Sequence, residues 1–253
     1  MRVEQIANHK IHTGNLIVVN EQHSFRQEKK KKLLFPIHHR KQDILLDRQA
    51  GILLEELMQK IKGWNQIEGV SGWRSREEQQ QIWDDSLREN GEEFTKTYVA
   101  IPGHSEHQTG LAIDLGLKGE ELDFICPSFP YEGICGKFRK YASQYGFVER
   151  YPKGKERVTG IGHEPWHFRY VGVPHATIME ELNITLEEYM EFIKDYQHGK
   201  REYEFTHRGT EFEVSYLSAE HGQNTNIRVD EQSIYHISGN NMDGFVVTKW
   251  RCR

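Results

Sequence analysis

Long apolar runs are missing from this chain. No stretch approaches the ~20 apolar residues of a membrane helix, and the segment MRVEQIANHKIHTGNLIVV breaks its hydrophobicity every few positions. Its apolar run, Leu16 to Val19, is far shorter than the roughly 7 to 15 residues of a secretory h-region. The expectation is a cytoplasmic protein with no membrane span. Cysteine is scarce as well. Cys126, Cys135 and Cys252 are odd in number and loosely spaced, which excludes a disulfide framework and fits a reduced compartment. Cys126 and Cys135 are nine residues apart, too far for the C-x2-4-C knuckle of a structural zinc site. An excess of positive charge is also lacking: the formal net charge is -5, whereas a nucleic-acid protein shows a net basic face. The dense basic cluster Lys29 to Lys32 reads as a solvated loop. Internal repeats and low-complexity tracts are absent.

The 253 residues suffice for one sizeable domain, or a domain with a small appendage, and for a real core. A strand is expected at Asn15 to Asn20. Asp43 to Lys62 carries Ile44, Leu45, Ile52, Leu53, Leu57, Met58 and Ile61 at near-helical spacing and closes on Gly63, which predicts a long amphipathic helix. A second helix starts at Ser75, with Glu78 completing a capping box, and runs to Asn90-Gly91. A third covers Gly136 to Tyr145, and a closing helix begins at Thr185 with Glu188 as its capping partner. Strands fit Gly69 to Trp73, Leu111 to Gly116, Phe147 to Arg150 and Trp166 to Val171. The pattern is α+β: a small, mainly antiparallel sheet with flanking helices packed to one side. After Gly199 the texture changes. Glu211 to Leu217, Ser233 to Ile237 and Phe245 to Trp250 read as strands, with a turn at Asn241 to Gly244. Residues 1–198 therefore form the expected main domain, and residues 199–253 a small β-rich appendage without a chemical motif.

The string HEPWH, His163 to His167, matches the zinc-peptidase pattern H-E-x-x-H, which works only on a helix, where His at i and i+4 stack on one face. Pro165 stands inside it, at a cost of roughly 3 kcal/mol to a helix interior. The residues that follow, Trp166 to Val171, are aromatic and β-branched. His167 is therefore expected on a strand, with Glu164 at its mouth. Any metal held there needs ligands from elsewhere. In PGHSEHQTGLAIDLGL, Pro102 to Leu117, alternation places Ala112 and Asp114 on one face while Leu111, Ile113 and Leu115 point to the core. An aspartate in such a strand costs desolvation unless it meets a cation or donors, and His107 lies just upstream across a bend. His107, Asp114 and His167 would supply two nitrogens and one oxygen and leave a fourth position open, as catalytic zinc requires. Glu164, not needed as a ligand, is then placed to take a proton from water.

Ser105-x-His107-(x6)-Asp114 together with Glu164-x-x-His167 resembles the signature of the LAS metallopeptidases, the group of D-alanyl-D-alanine peptidases, lysostaphin-type enzymes and the hedgehog zinc domain. The longer stretches GWRSREEQQQIW, SEHQTGLAIDLGL and EPWHFRYVGVPH look most like the VanY and VanXY branch, the D,D-carboxypeptidases and D,D-dipeptidases of glycopeptide resistance. The likeness covers Asn15 to Tyr196. It implies zinc as cofactor, His107, Asp114 and His167 as its ligands, Glu164 as catalytic base and Arg74 as the arginine that stabilises the oxyanion. It puts Ser105, Gln79 and Trp166 in the substrate-binding set. Trp73 stands where many relatives have tyrosine, and His104 and His163 match no role. The implied substrates are the free D-Ala-D-Ala dipeptide and the cytoplasmic muramyl pentapeptide precursor, with no nucleic-acid partner. A strict D,D-carboxypeptidase, an L-Ala-D-Glu endopeptidase and a non-catalytic zinc-stabilised binding module remain open, as does the oligomeric state.

Overall fold

The computed structural model describes residues 2–27, 29–39, 41–119, 123–231 and 233–251; Cys252 lies outside them. The elements in chain order are β1 (Arg2–Ile6), β2 (Leu34–His38), β3 (Lys41–Asp47), α1 (Arg48–Ile61), β4 (Ile67–Ser71), α2 (Arg76–Tyr98), β5 (Ala112–Leu117), α3 (Gly133–Ala142), β6 (Phe147–Tyr151), α4 (Glu156–Thr159), β7 (Glu164–Tyr170), α5 (His175–Leu182), α6 (Leu186–Lys194), β8 (Tyr203–His207), β9 (Thr210–Ser218), β10 (Thr225–Val229), β11 (Ile234–Gly239) and β12 (Gly244–Arg251). No helix among the described residues is long and apolar enough to cross a membrane.

Two helix boundaries differ by more than one turn from the pattern in the sequence. The stretch Asp43 to Asp47 is the end of β3, not a helix start. Its apolar triplet Ile44-Leu45-Leu46 suits either element, and pairing with β2, Leu34 opposite Asp47 and Phe35 opposite Leu46, selects the strand. Asp47 then caps α1, its side chain accepting from Gln49 N at 3.0 Å. The capping box of α2 is present: Ser75 Oγ accepts from Glu78 N, and the Glu78 carboxylate accepts from Ser75 N. Gly91 does not end that helix. It bends it at φ 83°, and helix resumes to Tyr98, with Thr95 Oγ1 donating to Gly91 O and meeting Ser86 Oγ, each at 2.8 Å.

The unit Val19–Thr185 is built around a four-stranded sheet in the order β4-β5-β7-β6, every pair antiparallel. Alternation divides its labour. Ile113 and Leu115 of β5 and Phe168 and Tyr170 of β7 face an apolar core with Leu54, Leu57 and Met58 of α1 and Phe138 of α3. Between them, Asp114 and His167 face the other way.

The second unit joins Met1–Val18 to Leu186–Arg253, so it starts earlier than the expected boundary at 198/199 and gathers the N-terminal strand. The reason is pairing at a distance: β1 is antiparallel to β10, Arg2 opposite Val229. A four-stranded sheet, β11-β12-β9-β8, completes it. The turn at Asn241 to Gly244 is organised by Asn240 Oδ1, which accepts from Met242 N, Asp243 N and Gly244 N at 2.9 to 3.0 Å. The expected strand Asn15 to Asn20 is instead irregular backbone. Leu16 N and Val18 N are satisfied by Ser238 Oγ and Asn240 O, both at 3.0 Å, rather than by a ladder.

Candidate active site

Sheet register assembles the centre of the site. β5 and β7 run antiparallel with Asp114 opposite His167, and β4 brings Ser71 opposite Asp114. The short 3-10 turn Glu106–Thr109 adds His107. His107, Asp114 and His167 are all buried, and their candidate ligand atoms lie within 4.8 Å of one another; this is the metal-type group of His, Cys, Asp and Glu among the described residues. His107 Nδ1 is 2.6 Å from Gly72 O; a carbonyl can only accept, so Nδ1 carries the proton. Nε2 is left as the lone-pair nitrogen, 3.1 Å from Asp114 Oδ2. His167 Nδ1 lies 2.8 Å from Asp114 Oδ1. Two imidazole nitrogens and a carboxylate aimed at one another suit a divalent cation of borderline softness.

The electrostatics agree. Burial opposes ionisation of Asp114, yet the histidines hold its carboxyl well below the usual carboxylate range. Burial would lower His167, but its hydrogen bond to Asp114 and the surrounding carboxylates raise it to about 9. A place that favours positive charge so strongly fits a cation. Burial, with the charge of Arg74, pushes His107 down, which keeps that ring neutral.

Glu164 opens β7 opposite Tyr151 of β6, with Oε2 3.8 Å from His167 Nδ1. Burial raises its carboxyl to about 8 despite the opposing pull of His167. Arg74 donates from Nη2 to Asp114 Oδ2 at 3.0 Å and from Nε to Ser71 Oγ at 2.7 Å. Gln79 is 1% exposed; its Nε2 donates to Ala100 O at 2.8 Å, and its Oε1 accepts from Arg74 Nη1 at 3.4 Å. Ser105 and Trp166 are buried. All these residues line one cavity of about 180 Å³, with Val70, Ile82, Tyr98, Val99 and Ile161 as apolar wall. The cavity thus holds every site residue expected from the sequence. His163 points elsewhere, its Nε2 2.8 Å from Tyr131 Oη, because Glu164 to Tyr170 is a strand and not a helix.

Sequence reasoning missed Ser71, Tyr151 and Glu106, which line the same cavity. Tyr151 carries no local signal. It arrives through an irregularity in pairing between Glu149 and Tyr151, and its ring centroid sits 4.9 Å from that of His167. Glu106 was in plain sight between Ser105 and His107. Its Oε1 accepts from Arg150 Nε at 2.8 Å and Arg169 Nη1 at 2.6 Å. Burial acts to raise its pKa, but the two guanidiniums hold it well below the usual range.

The family model of VanY, D-alanyl-D-alanine carboxypeptidase, matches residues 43–173, the span that contains every group just described. The chain belongs to the VanY family. It is accordingly an enzyme, a peptidase. Among the relatives of this VanY-family chain is the bifunctional D-Ala-D-Ala dipeptidase and D-Ala-D-Ala carboxypeptidase VanXYC of Enterococcus gallinarum, 40% identical over 181 residues, which are 71% of this chain and 95% of the relative. The vancomycin-resistance D,D-dipeptidase VanXYg, solved in complex with a D-Ala-D-Ala phosphinate analogue, superposes with a TM-score of 0.95 at 49% identity, covering 99% of each chain. A variant of the vancomycin-resistance D,D-pentapeptidase VanY from a VanB-type cassette, solved with Zn(II), gives a TM-score of 0.56 at 29% identity over 70% of this chain and 98% of its own.

Proposed function

We propose that this VanY-family enzyme is a zinc-dependent D,D-peptidase that cleaves the bond between two D-alanines, in the free dipeptide and at the C-terminus of the muramyl pentapeptide precursor, and so removes the terminus that glycopeptide antibiotics bind. The observation that carries this reading is the convergence of a His107, Asp114 and His167 donor set with a carboxyl that is not part of it, Glu164, and a guanidinium, Arg74, in one cavity. The VanXYg and VanXYC likenesses support the choice of D-Ala-D-Ala and of two substrate lengths. Both pools are cytoplasmic, where we place the enzyme.

His107, Asp114 and His167 would hold the zinc, which when bound supplies Lewis-acid polarisation and acidifies water. Glu164 takes a proton from the attacking water as the carbonyl carbon is attacked, and returns it to the leaving amine. Its raised pKa suits both halves of that task, since a general base works best poised near the operating pH. Arg74, fixed from behind by Ser71, offers its guanidinium to the developing oxyanion. Ser105 and Gln79 hold the terminal carboxylate and carbonyl of the substrate, and Trp166 with the apolar wall receives the alanine methyl groups.

Zinc-dependent release of D-alanine, measured in parallel on D-Ala-D-Ala and on the pentapeptide precursor, tests this. Release from both is expected. Release from the pentapeptide alone would make the enzyme a strict carboxypeptidase, and release from neither would favour a binding module.

A further inference from the structure

The mechanism leaves one buried carboxylate oxygen without work. Glu106 Oε2 and His167 Nε2 face each other at 3.5 Å, and both are buried atoms without a hydrogen-bond partner among the described residues. Glu106 is 1% exposed and His167 3%. Such atoms are costly to leave unpaired, and each calls for an explanation. The rest of Glu106 is fixed. Arg150 and Arg169, whose side chains are fully buried, both donate to Oε1, so the carboxylate is gripped along one edge and presents the other to the imidazole. At the far side of that ring, Nδ1 lies 2.8 Å from Asp114 Oδ1.

The chemistry of imidazole completes the argument. For Nδ1 to give its lone pair to a metal, the ring proton must reside on Nε2, and the group hydrogen-bonded there selects the tautomer and aims the ring. His107 solves the same problem in mirror fashion, with Nδ1–H on Gly72 O. We infer that Glu106 is the positioning residue for His167: its Oε2 receives the Nε2–H, fixes the tautomer and turns Nδ1 toward Asp114 and His107, while Arg150 and Arg169 hold the carboxylate in place. This inference rests on the reading of His107, Asp114 and His167 as metal ligands. A purely structural Glu106 would serve only to neutralise the two arginines, and its Oε2 would then be dispensable.

The test uses the full chain. Wild type, Glu106→Gln and Glu106→Asp are stripped with a chelator and titrated with Zn(II) and with Co(II), and folding is followed by circular dichroism. Aspartate keeps the charge that the arginines require but retracts the carboxylate by a methylene, beyond reach of the imidazole. Glutamine keeps the reach but not the charge. Both folded variants are expected to bind metal roughly 10- to 100-fold more weakly, with the visible bands of the Co(II) form displaced. In zinc-loaded wild type labelled with 15N, the His167 Nε2–H proton is expected far downfield and slow to exchange. Metal affinity and Co(II) bands unchanged in a folded Glu106→Asp overturn the proposal. Should neither variant fold, the wild-type spectrum decides, because an unprotonated or rapidly exchanging His167 Nε2 overturns it equally. Failure of the wild type to bind either metal would instead sink the ligand assignment itself.

Discussion

Among the described residues there are two four-stranded antiparallel sheets, one in each unit, and they use their interiors differently. The sheet β11-β12-β9-β8 buries Phe212, Val214, Tyr216, Phe245, Val246 and Val247, and the polar groups it buries among the described residues are the neutral Ser215, Ser238 and Thr248. The sheet β4-β5-β7-β6 buries Asp114, Arg150, Glu164, His167 and Arg169. Removing that many charges from water is expensive even when they are paired. A sheet built for stability alone has no use for them. The contrast separates a layer that holds itself together from one that keeps charges at fixed separations for chemistry.

The strongest way to break the comparison is to strip the charged sheet of its donor set. His107→Ala, Asp114→Ala and His167→Ala should each lose bound metal and fall to background D-alanine release, whereas His163→Ala should keep both; metal content after gel filtration checks this. Next comes Glu164→Gln, expected to retain metal and fold but to slow turnover by ~10²- to 10⁴-fold. Because the carboxyl must be ionised to accept a proton, wild-type kcat/KM should fall as the pH drops through its raised pKa. The glutamine variant should lose that acid limb, and a pH-rate profile that keeps it would point to another base.

Arg74→Ala should lower kcat by about 10²- to 10³-fold with a smaller change in KM, since a group aimed at the oxyanion acts on the transition state; steady-state kinetics separate the two. The smallest effect on catalysis should come from the other sheet. Phe245 is fully buried among Ile6, Ile227, Val229 and Val247. Phe245→Ala should cost ~3–5 kcal/mol of stability in denaturant and leave turnover per folded, metal-loaded molecule unchanged. A fall in specific activity would show that the second unit serves the chemistry.

Much of the charged sheet was legible because its signals are local. Alternation in Leu111 to Leu117 predicts which face Asp114 occupies, and Pro165 together with the aromatic and β-branched run Trp166 to Val171 argues against a helix through His163 to His167. What stayed hidden depends on contacts far apart in sequence. Ile44 to Leu46 suit a helix as well as a strand until β2 pairs with them. The partner of β1 lies more than 200 residues away, at Thr225 to Val229, so no composition change could place Met1–Val18 in the second unit. Glu106, a lone acid in a motif, has no pattern of its own; its meaning lies in Arg150, Arg169 and His167, which only the fold brings to it.

The cross-strand row Ser71, Asp114, His167 has a consequence for how such an enzyme tolerates change in length. In a sheet, each residue added or removed swaps inward for outward along everything beyond it. A single-residue deletion inside β5 ahead of Asp114 would send the aspartate into the apolar layer beside Leu54 and Phe168 and present Leu115 to the cavity. Exchanging most neighbouring side chains would be gentler. Insertions belong in the connections, such as the turn at Pro152 to Lys155 between β6 and α4, where added chain leaves the strand parity intact. For this architecture the counting of residues between functional groups is as much a part of the active site as the groups themselves.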